Sequence, residues 1–166
     1  MGKIFIGSSY PKKFKIGAFL IAKWSNVDYS HVYVRFESDN MPGTVYHAAH
    51  GMVHFRSTDN FLKENNIVEE FEIPDSELIR KPFLINCINI AGEKYGYLEL
   101  VKIVLNDLAN YFNCELINFD SRGYICSELV GKLMVEHLNF SFNKPLNLLK
   151  PIDIIKALEL KYGKNV

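Results

Sequence analysis

Strand-forming segments crowd the first half of this chain and helix-forming segments the second. That order predicts an α+β fold, a small antiparallel sheet packed against helices. Three observations carry the prediction. His31–Phe36 (HVYVRF) is a β-branched and aromatic run. Thr44–Ala48 and Met52–Phe55 are two further short runs that turn at Gly51. From Leu78 onward, apolar residues recur at helical spacing.

Taken in order, Phe14–Trp24 reads as a short helix, followed by SNVDYS as a loop. The strand from His31 then meets Thr44–Ala48 across a turn at Glu37–Gly43, which makes the two antiparallel neighbours. Ser57 is placed to cap a short helix through Lys63, and Ile67–Ile73 returns to strand composition. The helical half breaks near Gly92–Gly96, continues as Tyr97–Phe112, and passes through a polar loop at Asn113–Gly123. In RGYICSELVGKLMVEHL, the residues Cys126, Leu129, Val130, Leu133, Met134, His137 and Leu138 fall on one helical face. Pro151 suits a first helical position and Gly163 a helix end, which makes PIDIIKALELKY the closing helix.

No repeat, linker or low-complexity segment divides the 166 residues, so residues 1–166 are expected to form a single domain. At 48% hydrophobic residues the chain carries enough apolar material for one core. Nineteen basic and nineteen acidic residues cancel, which removes the broad positive field that nucleic-acid binding needs. No transmembrane segment is expected, because the Ile16–Ala22 run is too short to span a bilayer. The N-terminus has no apolar signal region, and Ile6 stands where a myristoylation signal wants Ser or Thr. The expectation is a non-exported, cytoplasmic protein.

Cys87, Cys114 and Cys126 are an odd number without CxxC spacing, which argues against a disulfide framework and against a zinc knuckle. Cys126 differs from the other two in heading a helix. A helix start gathers unpaired N–H groups and partial positive charge, conditions that favour a thiolate and an oxyanion formed by its attack on a carbonyl. A buried cysteine on an apolar face is also an ordinary core residue. A nucleophile needs a histidine in reach and a third group to hold that histidine. His31 and His47, on neighbouring strands, can share one face, one acting as base and the other as its orienter. His50 and His54 complete a group of four, but their spacings match no structural zinc pattern. No metal or other cofactor is expected, and these two read as turn and surface residues.

The segments SHVYVRF, VYHAAHGMV, YICSELV and LKPIDI, in that order, resemble the circularly permuted NlpC-like papain-fold hydrolases. In that family the histidine strand precedes the cysteine helix. The resemblance runs from about Gly17 to Leu158, and Ser30-His31-Val32 and Cys126-Ser127-Glu128-Leu129-Val130 are its most specific parts. It implies Cys126 as nucleophile, His31 as general base and acid, and His47 as the residue that orients His31. Tyr124 and Ser127 then line the oxyanion or substrate site. Many relatives carry an acidic residue where this chain has His47. The family contains cell-wall peptidases, amidases and the acyltransferases related to lecithin retinol acyltransferase, and its fold alone does not choose among them. The first expectation is a bacterial or phage-encoded thiol hydrolase of an amide in a cell-wall-type peptide. An acyltransferase or esterase acting on lipid or other acyl substrates is the alternative. A non-catalytic binding protein on the same scaffold is the reading from a different class.

Overall fold

The computed structural model describes residues 2–39, 41–74, 76–111 and 123–163. These form, in order, β1 (Gly2–Pro11), α1 (Ile16–Ser25), β2 (His31–Ser38), β3 (Met41–Ala49), β4 (Met52–Ser57), α2 (Thr58–Glu64), β5 (Asn65–Glu72), α3 (Ser76–Ile90), α4 (Tyr97–Tyr111), α5 (Cys126–Leu138) and α6 (Pro151–Tyr162). A short 3-10 turn, Leu146–Leu148, precedes α6. The architecture is α+β: the five strands make one antiparallel sheet in the order β4-β3-β2-β1-β5.

The strand that the compositional reading passes over is β1. It lies between β2 and β5, pairing Ile4 with Phe36 and Ile6 with Val34 on one side and Ile6 with Phe71 on the other. Its alternation of Ile4 and Ile6 with Phe5 and Gly7 is short, and two serines follow, so the apolar signal fades where the strand continues. The strand is interior all the same: Ser8 and Ser9 are both buried.

Alternation of side chains divides the sheet into two faces. Ile4, Ile6, Val32, Val34, Phe36, Tyr46 and Ala48 join the main core with Leu129, Val130, Leu133 and Met134 of α5, Phe83 of α3, and Ile154, Ile155 and Leu158 of α6. Each of those helical side chains contributes roughly 1.5–3 kcal/mol by leaving water. On the opposite face Tyr33 and Val45 pack under Phe61 of α2. That helix starts where Ser57 Oγ accepts from the Asn60 N–H at 3.4 Å, the cap expected from the sequence.

Two tight connections set the register near the histidines. Between β3 and β4, His50 (φ 53°) and Gly51 (φ 91°) are both left-handed, the two-residue hairpin turn whose twist matches its strands. The β2–β3 connection is shorter than the Glu37–Gly43 turn expected, because β2 runs on to Ser38 and β3 begins at Met41, opposite it. Arg35 faces Val45. Carried two residues further, that register puts His47 diagonal to His31 on the α2 side of the sheet. The helix expected over Tyr97–Phe112 is described to Tyr111, and of the loop expected at Asn113–Gly123 all but Gly123 lies outside the described residues, as does Cys114.

Candidate active site

The arrangement begins with strand geometry. His31 opens β2 and His47 lies near the end of β3. Their Nε2 and Nδ1 atoms are 2.9 Å apart, with the rings edge to face at 75°. Phe61 packs its ring against both, at centroid distances of 6.5 Å from His31 and 5.4 Å from His47. His31 keeps an edge open to the cleft, whereas His47 is 2% exposed. The other nitrogen of His47, Nε2, is buried and has no hydrogen-bond partner among the described residues. An unmade hydrogen bond of that kind costs about 1–3 kcal/mol, and such costs concentrate at functional sites.

Cys126 enters from the other side. Its helix has no side-chain cap: Ile125 precedes it in extended conformation and only contributes its carbonyl, which accepts from Leu129 N–H at 3.0 Å. The N–H groups of Cys126 and Ser127 are placed to act on the thiol. Backbone N–H groups of Val32, Ser127 and Cys126 itself all lower the thiol pKa. The Val32 contact sets the sulfur against the peptide unit that joins His31 to Val32, which ties the cysteine helix to the histidine strand at its first two residues.

Burial opposes those donors and wins. Cys126 is 3% exposed, and its thiol lies above the ordinary range because desolvation outweighs the three N–H groups. The partial thiolate expected from a helix start is thus not the state of this closed geometry. Burial likewise holds His31 and His47 well below the usual imidazole range. Lys15, His50 and His54 add to the effect at His31, and His31 itself adds to it at His47. Burial thus favours the neutral form of all three groups, the thiol and the two imidazoles.

Two cavities meet at this point. One, of about 360 Å³, is lined by His31, His47, His50, Lys15, Asn65 and Tyr95, among others. The second, of about 370 Å³, has Cys126 and Ser127 in its wall together with Leu20, Leu100, Val101, Leu149 and other apolar side chains. Gly17, Ile21, Ser30 and Leu100 belong to both, so the two are arms of one cleft divided between α1 and α4.

The remaining expected residues fall out differently. Ser127 is in the wall beside Cys126, but its hydroxyl is committed to Leu149 O at 2.5 Å, so only its backbone N–H faces the sulfur. Tyr124 is engaged elsewhere. Its N–H donates to Lys94 O at 2.9 Å, its hydroxyl accepts from Lys132 Nζ at 3.1 Å, and neither cavity wall includes it. The Tyr124 side chain thus faces Lys132, outside the two arms. Tyr95, which the sequence hides inside the helix break at Gly92–Gly96, stands in the histidine arm. Its hydroxyl is raised by burial and then by the nearby Cys126. Nothing local marks it: only the parallel bridge Tyr95–Tyr124 carries it to the cysteine.

His50 sits exposed at its turn, and the half-buried His54 lies against His47 at 4.6 Å with the rings tilted by 58°. Among the described residues no group of three potential ligands is close enough to hold a metal ion. Cys87 is fully buried in the core and pushed up by desolvation, as an inert thiol is. No protein-family model matches the chain, and no curated protein matches it.

Proposed function

We propose that this chain is a thiol acyl hydrolase or acyltransferase of the permuted papain-like kind, with Cys126 as nucleophile, His31 as proton carrier and His47 as the residue that orients His31. One observation carries the reading: the 2.9 Å bond between His31 Nε2 and His47 Nδ1 orients the His31 ring and leaves Nδ1 as its working nitrogen, on the strand whose next residue, Val32, turns its backbone N–H to the thiol. For Nδ1 to accept a proton, neutral His31 must carry its hydrogen on Nε2 and donate it to His47 Nδ1. His47 then carries its own hydrogen on Nε2, the buried atom left without a partner.

In this mechanism Nδ1 of His31 takes the Cys126 proton as the sulfur attacks the carbonyl carbon, because a thiol held neutral by burial ionises only as it reacts. Backbone N–H groups at the start of α5 hold the developing oxyanion. The bond to the leaving oxygen or nitrogen breaks as His31 returns the proton to it. Water or an acceptor hydroxyl or amine, deprotonated by His31, then attacks the thioester, releases the acyl group and restores the thiol.

The wall of the Cys126 arm favours an apolar acyl group, which moves the preference from a cell-wall peptide to an acyl ester. A peptide amide remains the second reading, on the polar lining of the histidine arm by Lys15, Ser30 and Asn65. The test is a panel of activated esters of rising acyl length beside small peptide amides. Intact mass should show an acyl adduct on the wild type and none on Cys126→Ala. A wild type that acquires no adduct from any member, with Cys126→Ala unimpaired in its cellular task, points instead to a non-catalytic binding protein.

A further inference from the structure

A helix apolar on every side is normally buried. Helix α1, IGAFLIAKWS, is not: among its described side chains only Ala22 is buried. Ile16 is 68% exposed, Leu20 56%, and Phe14 in the loop leading to the helix 72%. Across the cleft, α4 presents Tyr97, Leu98 and Val101 in the same condition. The exposed group is continuous with the site, since Leu20 and Val101 also line the Cys126 arm and Tyr97 the histidine arm.

The charge pattern is as uneven as the burial. The chain is neutral overall, yet PKKFKIGAFLIAK holds Lys12, Lys13, Lys15 and Lys23 with no acidic residue among them. All four lysines are exposed. Lys12 donates to a neutral carbonyl, Leu62 O at 2.6 Å, and Lys23 lies 5.5 Å over the Phe19 ring, so neither arrangement cancels its charge. Glu64, whose field reaches Lys15, is held by Arg56 through bonds of 2.9 and 2.6 Å.

We infer that the Lys12–Lys23 segment, with the outer face of α4, is a docking surface for an anionic lipid bilayer, which seats the cleft mouth on the membrane. Phe14, Ile16, Phe19 and Leu20 enter the acyl boundary while the lysines stay with the headgroups. No described helix is long and apolar enough to cross a membrane, so the attachment is interfacial and reversible. The apolar arm then opens toward the acyl chains themselves, which makes a membrane-resident acyl ester the substrate. That last consequence rests on the acyl-transfer reading, whereas the docking does not.

The test is co-sedimentation of the full chain with phosphatidylcholine vesicles containing or lacking phosphatidylserine. Each lysine near an anionic surface multiplies partition by about fivefold. The triple change Lys12→Ser, Lys13→Ser, Lys23→Ser should therefore weaken binding to serine-headed vesicles by roughly a hundredfold. Phe14→Ser with Ile16→Ser and Phe19→Ser should abolish binding while leaving the circular dichroism unchanged, because all three side chains are exposed. Cys126→Ala should bind as the wild type does. Equal affinity for both vesicle types, no affinity for either, or a concentration-dependent dimer that the Phe14, Ile16 and Phe19 changes dissolve would each overturn the inference. Acylation by soluble esters without vesicle binding would sink the docking and leave the proposed function standing. Vesicle binding without any Cys126 adduct would do the reverse.

Discussion

Lowering the pH from 7.5 to 5.5 should destabilise this protein through its histidine pair. Both His31 and His47 have folded pKa values depressed, chiefly by burial, against about 6.5 in the unfolded chain. The unfolded state therefore binds more protons below that value, and stability rises with pH. Conversely, stability is lost as the pH falls below about 6.5 toward the folded values. For one histidine kept neutral when folded, the unfolded chain gains RT ln(1 + 10^(6.5 − pH)), which is about 1.4 kcal/mol at pH 5.5 and under about 0.1 at pH 7.5. The pair should thus lose about 2.7 kcal/mol over this window. His50, with a side chain 51% exposed, is screened by solvent and adds little. Carboxylates titrate lower and contribute almost nothing here. His47→Asn keeps an acceptor near the position of Nδ1 and removes one titrating group, so it should halve the loss to about 1.4 kcal/mol. Its own effect on packing is independent of pH and cancels in the comparison. Urea unfolding at both pH values, for both proteins, measures the four free energies. Equal pH losses in the two proteins, or a wild-type loss well under 1 kcal/mol, would refute the picture of a buried neutral pair.

Four further outcomes follow from named contacts. His31→Ala should lower the rate of Cys126 acylation by about 10²–10⁴, the usual range for a general base, and cost about 1–3 kcal/mol of stability by leaving buried His47 Nδ1 unpaired; a rate within threefold of wild type would remove His31 from the mechanism. Iodoacetamide labelling of Cys126, followed by mass spectrometry, should climb about tenfold per pH unit through the neutral range, because burial holds the thiol high; a plateau below pH 7 would mean a preformed thiolate. Glu70 accepts from Tyr33 Oη at 2.8 Å and from Arg35 Nε at 2.7 Å, while Glu37 also pairs with the Arg35 guanidinium, so Glu70→Ala should cost about 1–3 kcal/mol in urea melts, and adding Glu37→Ala should cost more than either change alone because only then is the guanidinium left unpaired. Gly7→Ala should destabilise more than Gly131→Ala: a Cβ at Gly7 would come 2.7 Å from the Glu69 carbonyl oxygen, whereas at Gly131 it meets the end of the Leu149 side chain, at 2.5 Å, which can turn away.

Local signals carried much of this molecule. HVYVRF and TVYHAAHG could only be strands whose alternation puts both histidines on one face. Ser57, Pro151 and Gly163 mark helix ends by capping and dihedral restrictions that act within a few residues. The i, i+3, i+4 spacing after Cys126 turned that helix toward the interior, where it lies. Other features depend on residues far apart in the chain. Whether β1 joins the sheet is decided by β2 and β5, whose paired residues lie 22 to 67 positions away, so its weak internal pattern says little. Tyr95 reaches the site through a bridge to Tyr124 on the other side of α4. Most of all, the ionisation of Cys126 reverses between the two levels. In isolation the helix start favours a thiolate, a contribution of a few N–H dipoles. Only the folded chain withdraws the sulfur from water, and the desolvation of a full charge outweighs those dipoles. A dipole at a helix end is a property of neighbouring residues, whereas solvent exclusion belongs to everything packed around them.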